Sequence, residues 1–234
     1  MAKLNHVLFG QAKGKVGGMV LQRYEGMNIA REKPITVKNP QSAKQTQNRA
    51  KFKMASQIVA EFSEVLNARL ANISIYTRSR RGAAINAIHS VVNTSTPPTA
   101  QAAINNVVSA INAKSVSGLS NITLNDVSLH FEMNVPTGFT VIYTQCGYDA
   151  NGLLTNRHTE TYESNGTEKP IEFLGPKTDI IMAVSLRPLT DAGRATISNI
   201  NVESGGNAWA NEISRGVAAG DIEISNMVGN SHVA

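Results

Sequence analysis

The chain has 234 residues, of which 41% are hydrophobic, and its formal net charge at pH 7 is +5. This is enough for one or two globular domains with buried cores. No run approaches the roughly 18 apolar residues of a membrane helix, and the N-terminus lacks the long apolar segment of a secretory signal. The single cysteine, Cys146, excludes an internal disulfide framework and a Cys-rich zinc site. We expect Cys146 to be a small buried hydrophobic residue.

Charge is distributed unevenly along the chain. Residues 1–81 hold 15 Lys and Arg against four Asp and Glu, whereas residues 82–234 hold seven against 13. The two parts therefore carry net charges of +11 and −6, which add to the +5 of the whole chain. This asymmetry indicates that the basic part meets a polyanion while the acidic part stays soluble or contacts protein. The alternative is a solvated basic face without a partner.

The glycines and lysines that begin at Gly10 suggest a phosphate-binding loop. A P-loop has four residues between its first glycine and its Gly-Lys pair, followed by Ser or Thr. Here only three residues separate Gly10 from Gly14, and Val16 follows Lys15. The spacing therefore excludes a P-loop.

A small β-hairpin or meander is predicted for this region instead. Val16, Val20 and Ile29 favour strands, and Glu25-Gly26 is a predicted turn. The pair Gly17-Gly18 indicates a bulge or a close approach of two backbones.

A long amphipathic helix is predicted over about residues 40–69. Asn39 suits the N-cap and Pro40 the first helical position. The apolar stripe recurs at steps of three and four residues and comprises Phe52, Ala55, Val59, Phe62, Leu66 and Leu70. Because the first two turns are polar, we expect the N-terminal half to project from the core and the C-terminal half to be buried.

Two further helices are predicted downstream. Arg78, Arg80 and Arg81 precede a helical stripe, although arginines at a helix N-terminus oppose its macrodipole and need solvent or an anion. That stripe comprises Ala84, Ile85, Ile88, Val91 and Val92. After turn residues at 93–98, a third helix over about 99–113 has a stripe of Ala103, Ile104, Val107, Val108 and Ile111.

From about residue 120 the apolar period becomes two, which indicates strands. VSLHFEM alternates Val127, Leu129, Phe131 and Met133, and FTVIYTQ places Phe139, Val141 and Tyr143 on one face. HTETY, PIEFL, DIIMAVSL and ATISNINV follow as further short strands bounded by turn residues. They predict an antiparallel β-sandwich that is Ig-like in architecture only, since the Cys…Trp…Cys pattern is absent.

The predicted fold class is therefore α+β, with a basic N-terminal β-hairpin and amphipathic helices followed by an antiparallel β-sandwich. The predicted divisions are a basic hairpin-and-helix module (1–92), a linker and helix (93–117), the sandwich (118–203) and a Gly/Asn-rich tail (204–234). The tail contains the single tryptophan, Trp209. We expect it to anchor either on the body of the protein or on a neighbouring subunit.

The sequence contains no pattern that predicts catalysis. Ser/His/Asp, HExxH, CxxC and GxSxG arrangements are absent. No two of the five histidines share metal-ligand spacing: His6, His89, His130, His158 and His232. His89 is expected to be a surface or packed histidine, and Glu160 and Glu163 a solvated strand edge. We expect no enzyme activity, no metal and no cofactor.

The N-terminal third combines Gly-Lys-Val-Gly, a later arginine and an Asn-Pro segment that is followed by Gln, Arg and Phe. The residues concerned are Gly14, Lys15, Val16, Gly17, Arg31, Asn39, Pro40, Gln45, Arg49 and Phe52. On these residues the chain resembles a family of bacteriophage and Bacteroidetes proteins, over roughly residues 10–92. The arginines at 78–81 are similar to those of small members found beside capsid genes of single-stranded DNA phages. Larger relatives have a C-terminal β-sandwich with strands similar to AVSLRPLTDAGRATISNINV. Gly18 departs from the family, where many members have Asn.

The resemblance implies a phage or prophage origin and a virion or DNA-associated role, but no reaction. We expect a virion structural protein whose basic module docks on the capsid interior or packaged genome and whose β-domain makes subunit contacts. The alternative is a soluble DNA-binding phage protein without sequence specificity. The expected location is the virion, and the host cytoplasm before assembly.

The expected partners are other virion proteins, DNA through its phosphates, and further copies of the chain, with no membrane. Aromatic residues make up only 5% of the chain, which favours phosphate contacts over base stacking and predicts steep salt dependence. The residues expected to bind nucleic acid or a protein partner are Lys13, Lys15, Arg23, Arg31, Lys33, Arg49, Lys51, Lys53, Arg78, Arg80 and Arg81.

Overall fold

The structure is a computed structural model with an α+β fold, as the sequence predicts. It describes residues 2–4, 14–24, 27–33, 41–71, 80–91, 100–113, 120–148, 154–175, 178–189, 213, 220 and 222–234. Contacts divide the chain into two units, Met1–Thr46 and Gln47–Ala234, and each is described by itself.

The first unit contains a four-stranded antiparallel sheet, which confirms the predicted meander. Its strands are β1 (Ala2–Leu4), β2 (Gly14–Val16), β3 (Met19–Tyr24) and β4 (Met27–Glu32), in the order β1-β4-β3-β2. Tyr24 pairs with Met27, and the predicted turn residues Glu25 and Gly26 lie outside the described residues.

Gly17 and Gly18 form a two-residue hairpin turn, whereas the sequence predicted a bulge or a close approach of two backbones. Val16 and Met19 are directly paired, so no extra residue enters either strand. Gly17 has a φ of 55°. Tight hairpin turns match the twist of their strands only with positive φ, which glycine adopts without steric cost.

Four helices follow the sheet among the described residues. They are α1 (Ala43–Glu61), α2 (Ser63–Arg69), α3 (Arg80–Val91) and α4 (Ala100–Asn112). The helix predicted at 40–69 thus appears as α1 and α2, interrupted at Phe62. Helical hydrogen bonds continue across the interruption, because Phe62 N–H donates to the Ile58 carbonyl and Leu66 N–H to the Phe62 carbonyl.

The start of α1 differs in detail from the prediction. Asn39 and Pro40 lie outside the described residues, and α1 follows Ser42, whose hydroxyl accepts a hydrogen bond from the Gln45 N–H at 3.3 Å. Serine is a favoured N-cap because its oxygen satisfies one of the unpaired N–H groups of the first turn. Residues 41–50 are exposed, which confirms that this end of the helix projects from the core.

The C-terminal half of the predicted helical stripe is buried, as expected. Its buried members are Ala55, Val59, Phe62, Leu66 and Leu70. Phe52 departs from the prediction because 54% of its surface is exposed. Helical periodicity assigns Phe52 to the apolar face but does not show where along α1 the packing partner begins.

Two antiparallel sheets follow the helices in the second unit. The larger sheet has the order β11-β10-β7-β8, with β12 also paired to β10, and the smaller has the order β5-β6-β9. The strands are β5 (Thr123–Val127), β6 (His130–Asn134), β7 (Thr140–Tyr148), β8 (Leu154–Glu163), β9 (Lys169–Glu172), β10 (Thr178–Pro188), β11 (Ile222–Ile224) and β12 (Val228–Val233).

The two sheets share one apolar core, as a β-sandwich requires. Phe131 and Met133 of the small sheet belong to this core, together with Val141, Tyr143 and Ile181 of the large sheet. The prediction that Val141 and Tyr143 lie on one face is therefore confirmed.

The opposite face of the large sheet is covered by the helices. A second core forms there from Ile142, Cys146 and Met182 of the sheet and from residues of all four helices, including Ile111 of α4. Phe62, which links α1 to α2, belongs to the same core. Every residue from Thr140 to Gly147 is buried, because β7 has packing partners on both faces. Cys146 is buried as expected, and burial is the main cause that raises the pKa of its thiol to about 12.

The helices and the large sheet of the second unit pack directly on each other. Helix α2 packs on β7 and β10, and α4 packs on β12. Arg157 of β8 also forms an ion pair with Glu64 of α2. A change of apolar period marks a change of secondary structure, whereas the unit boundary depends on which surfaces bury the helical stripes.

Two segments have a secondary structure that differs from the predicted one. VSLHFEM is a hairpin rather than one strand, since Val127 pairs with His130 and Leu129 lies in the turn with 76% of its surface exposed. Residues 222–233, assigned to the tail, contribute β11 and β12 to the large sheet. The predicted strand ATISNINV and Trp209 lie outside the described residues.

Gly229 marks a close approach of α4 to β12, so we expect Gly229→Ala to destabilise the protein by about 1–3 kcal/mol. An added Cβ would lie 2.8 Å from Ile104 Cγ2 and 3.0 Å from Val108 Cγ2. Equilibrium denaturation measures the effect. Gly18→Ala is the control, because its Cβ would meet no atom within 4 Å. Unchanged stability of Gly229→Ala would contradict the packing of α4 on β12.

Candidate nucleic-acid interface

Helices α1 and α3 border an open groove of about 710 Å³. Its lining includes three basic side chains, Arg49, Lys53 and Arg81, and one carboxylate, Glu61. Phe52 and His89 also line it. The groove therefore combines an excess of positive charge with aromatic surface.

The spacing of residues on α1 explains how the groove acquires this lining. Residues three and four positions apart on a helix lie on the same face, so Arg49, Phe52 and Lys53 share one face of α1. Helix α3 adds Arg81 from its first turn and His89 from its last turn. The Phe52 and His89 rings meet edge to face, with centroids 6.4 Å apart and planes at 61°.

The electrostatics of the groove favour an anion. Arg49, Lys53 and Arg81 are exposed, so their charged groups retain access to solvent and to a ligand. The first turn of α3 contains no acidic residue, and the positive end of the helix dipole lies beside Arg81. A phosphate in the groove could accept charge-assisted hydrogen bonds from the guanidinium groups.

The remaining predicted basic residues are placed elsewhere. Lys51 is half-buried on α1 and does not line the groove, while Lys15, Arg31 and Lys33 are exposed in the first unit. Val20 pairs with both Lys15 and Arg31, so these two cations lie in one row across the sheet. The side chains of Arg23 on β3 and Arg80 on α3, and the whole of Lys13 and Arg78, lie outside the described residues.

Sequence reasoning missed the aromatic part of the groove. Phe52 was placed only on the apolar stripe of the predicted helix, and His89 was expected to be a surface or packed histidine. The flanking residues Arg49 and Lys53, three before and one after Phe52, were the available signal. Three basic or aromatic side chains on one helical face indicate a binding surface rather than a core.

A second polar cluster ties β7, β8 and β9 together. The Tyr143 hydroxyl donates a hydrogen bond to Glu160 Oε2 at 2.5 Å, and Lys169 forms an ion pair with the same carboxylate. Lys169 Nζ also lies 4.0 Å from the centre of the Tyr162 ring. Glu160 thus contacts Tyr143 and Lys169, instead of forming a solvated edge with Glu163. These contacts give the cluster a structural role between the sheets.

The pKa values of this cluster agree with that role. Burial, reinforced by Glu160, raises the pKa of Tyr143 and raises that of Tyr162 to about 12, so both phenols are neutral at physiological pH. Burial alone would raise the pKa of Glu160, but hydrogen bonds from Lys169 and Tyr143 outweigh it and lower the pKa. Glu160 therefore stays ionised and keeps both partners.

Arg69 is a buried cation that serves the core rather than a ligand. Its Nε donates to Asn112 Oδ1 at 3.1 Å, and its Nη2 donates to Asn226 Oδ1 at 2.8 Å. Asn112 in turn donates from Nδ2 to the Met227 carbonyl at 2.9 Å. Burial lowers the pKa of Arg69. These bonds join α2, α4 and the link between β11 and β12.

Three further properties bear on function, namely possible metal ligands, possible membrane helices and similarity to known proteins. In the described part of the chain, no group of three or more His, Cys, Asp or Glu is placed to hold a metal ion. The helices described above include none long and apolar enough to cross a membrane. No family model, curated protein or solved structure matches this chain. A functional assignment therefore rests on the residues of this chain.

Proposed function

We propose that this protein is a non-enzymatic bacteriophage structural protein that contacts nucleic acid phosphates in the groove between α1 and α3. The observation that carries the proposal is the convergence of Arg49, Lys53 and Arg81 from two helices on one open groove. Arginine presents a planar set of donors that fits phosphate oxygens, and lysine adds a compact charge. Such contacts bind the backbone without reading sequence.

The distribution of charge supports a division of roles within the particle. Lys15, Arg31 and Lys33 are exposed in the first unit and add to the basic surface available to a polyanion. Residues 82–234 hold 13 Asp and Glu against seven Lys and Arg, which suits contacts with other virion subunits, including further copies of this chain. The resemblance over residues 10–92 supports the phage origin, with the virion and the host cytoplasm as successive locations.

Phosphate binding makes affinity depend steeply on salt. We expect the full-length chain to bind a mixed-sequence DNA oligomer with log affinity falling linearly in log salt, by about 0.7–0.9 per phosphate neutralised. Fluorescence anisotropy over about 50–200 mM salt measures the slope. A slope of several units is the expected result. No binding at the lowest salt would contradict the proposal and redirect the basic residues to an acidic protein partner.

The groove equally supports a soluble DNA-binding phage protein without a virion role, because phosphate contacts are the same in both cases. Mass spectrometry of purified particles separates the two. Presence of the chain in particles supports the structural role. Its absence, with DNA binding intact, supports the soluble protein.

A further inference from the structure

Phe52 is an exposed aromatic residue placed among the cations of the groove. Its neighbours on the apolar stripe, Ala55 and Val59, are buried, whereas 54% of Phe52 is exposed. Leaving an aromatic side chain in water forgoes favourable apolar burial. A ligand that covers the Phe52 ring would recover it.

The groove runs along α1, and the Phe52 ring lies between basic side chains in its lining. Its lining on α1 runs from Asn48 to Glu61, a length of about 20 Å at 1.5 Å per residue. Arg49 and Lys53 flank Phe52 on the same helical face. His89 meets the Phe52 ring at an angle of 61°, so the two rings are not stacked on each other.

Bases in a duplex are stacked on one another, whereas bases in a single strand are free to stack on aromatic side chains. A basic groove that follows the backbone, with an aromatic side chain within it, is the combination used for single strands. A duplex would gain only the phosphate contacts. An acidic protein would match the charge but would present no flat ring for Phe52.

We infer that the groove takes single-stranded nucleic acid, with one base stacked on Phe52 and neighbouring phosphates on Arg49, Lys53 and Arg81. The inference rests on the proposed function and names its ligand class. The low aromatic content of the chain led us to expect phosphate contacts without base stacking. The inference modifies that expectation, because a single aromatic ring in the groove is enough to stack on one base.

The test compares a single-stranded DNA oligomer, its duplex and an RNA oligomer of the same sequence. We expect the full-length protein to prefer single strands, and Phe52→Ala to lower single-strand affinity about tenfold with the salt slope and duplex affinity unchanged. Phe52→Trp should retain single-strand binding. Met54→Ala is the matched control, because Met54 is 51% exposed on the same helix but does not line the groove.

The outcomes separate this inference from the proposed function. If Phe52→Ala binds single strands as well as the wild type while Arg81→Gln still lowers the salt slope, the groove holds phosphates only and the stacking inference is wrong. If the protein binds polyglutamate but none of the oligomers, both the proposed function and the stacking inference are wrong. If the protein binds either single strand and Phe52→Ala loses that affinity, the inference is supported. The tighter-binding single strand then shows whether the natural ligand is DNA or RNA.

Discussion

Replacing Phe62 by alanine is expected to lower the free energy of unfolding by about 3–5 kcal/mol. Phe62 joins α1 to α2 and is only 1% exposed. It belongs to the same core as Met182 and Val184 of β10, so the cavity would open between the helices and the large sheet. Because this core is shared, helical and sheet signals should be lost together at a lower denaturant concentration.

Phe52→Ala is the matched control for this variant, since it removes the same side chain from an exposed position on α1. Its stability should stay within about 0.5 kcal/mol of the wild type. Circular dichroism follows the helices, and the buried Tyr143 with the half-buried Tyr148 and Tyr162 of the sheets provides a second probe. If Phe62→Ala melted the helices while the sheets kept wild-type stability, the helices would form the separate module that the sequence predicted.

Neutralising the groove by combining Arg49→Gln, Lys53→Gln and Arg81→Gln is expected to reduce affinity for a single-stranded oligomer on the order of 100-fold at about 0.1 M salt. Each lost phosphate contact should also reduce the salt slope by about one unit or slightly less. Because the three side chains are exposed, the folded structure should be retained. Titration by anisotropy gives both quantities.

Arg187→Gln is the control for a single charge, because Arg187 is exposed on β10 and does not line the groove. Compared with Arg81→Gln, it should leave the slope at the wild-type value. Wild-type affinity and slope in the triple variant would show that the groove is not where nucleic acid binds. The exposed cations of the first unit, Lys15, Arg31 and Lys33, would then become the next site to neutralise.

Sequence patterns predicted the type of each secondary-structure element better than its end residues and the elements on which it packs. The alternation of Phe139, Val141 and Tyr143 identified one buried face of β7, but Ile142 and Cys146 on the other face are buried as well. Burial of both faces depends on helices that are distant in the chain, so local alternation does not reveal it. The continuous apolar run DIIMAVSL was the local sign that β10 is covered on both sides.

Two features of the second unit were not predicted, for separate physical reasons. Alternation runs unbroken through Leu129, and Ser128 is the only turn-favouring residue of the pair Ser128-Leu129, so the hairpin between β5 and β6 was not recognised. The packing of α2 and α4 on the large sheet was not predicted either. Sequence period does not specify which surface covers an amphipathic helix.

The sequence predicted the basic residues of the candidate site, but not which of them lie together or that an aromatic residue lies among them. Arg49, Lys53 and Arg81 were identified by their type and by the basic balance of residues 1–81. That these three share a groove, while Lys51 does not, follows from the rotation of α1 and the packing of α3. Phe52 was placed on the apolar stripe because its periodicity fits, but it lies in an exposed part of α1, beside His89 of α3.

The claim that nucleic acid lies between α1 and α3 is tested most directly by photo-crosslinking the full-length protein to a single-stranded DNA oligomer. Crosslinked peptides are then identified by mass spectrometry. We predict that the crosslinks lie on the α1 peptide that contains Phe52 and on the α3 peptide that contains His89. Crosslinks confined to strands β5 to β12, under conditions where the oligomer is bound, would contradict the account.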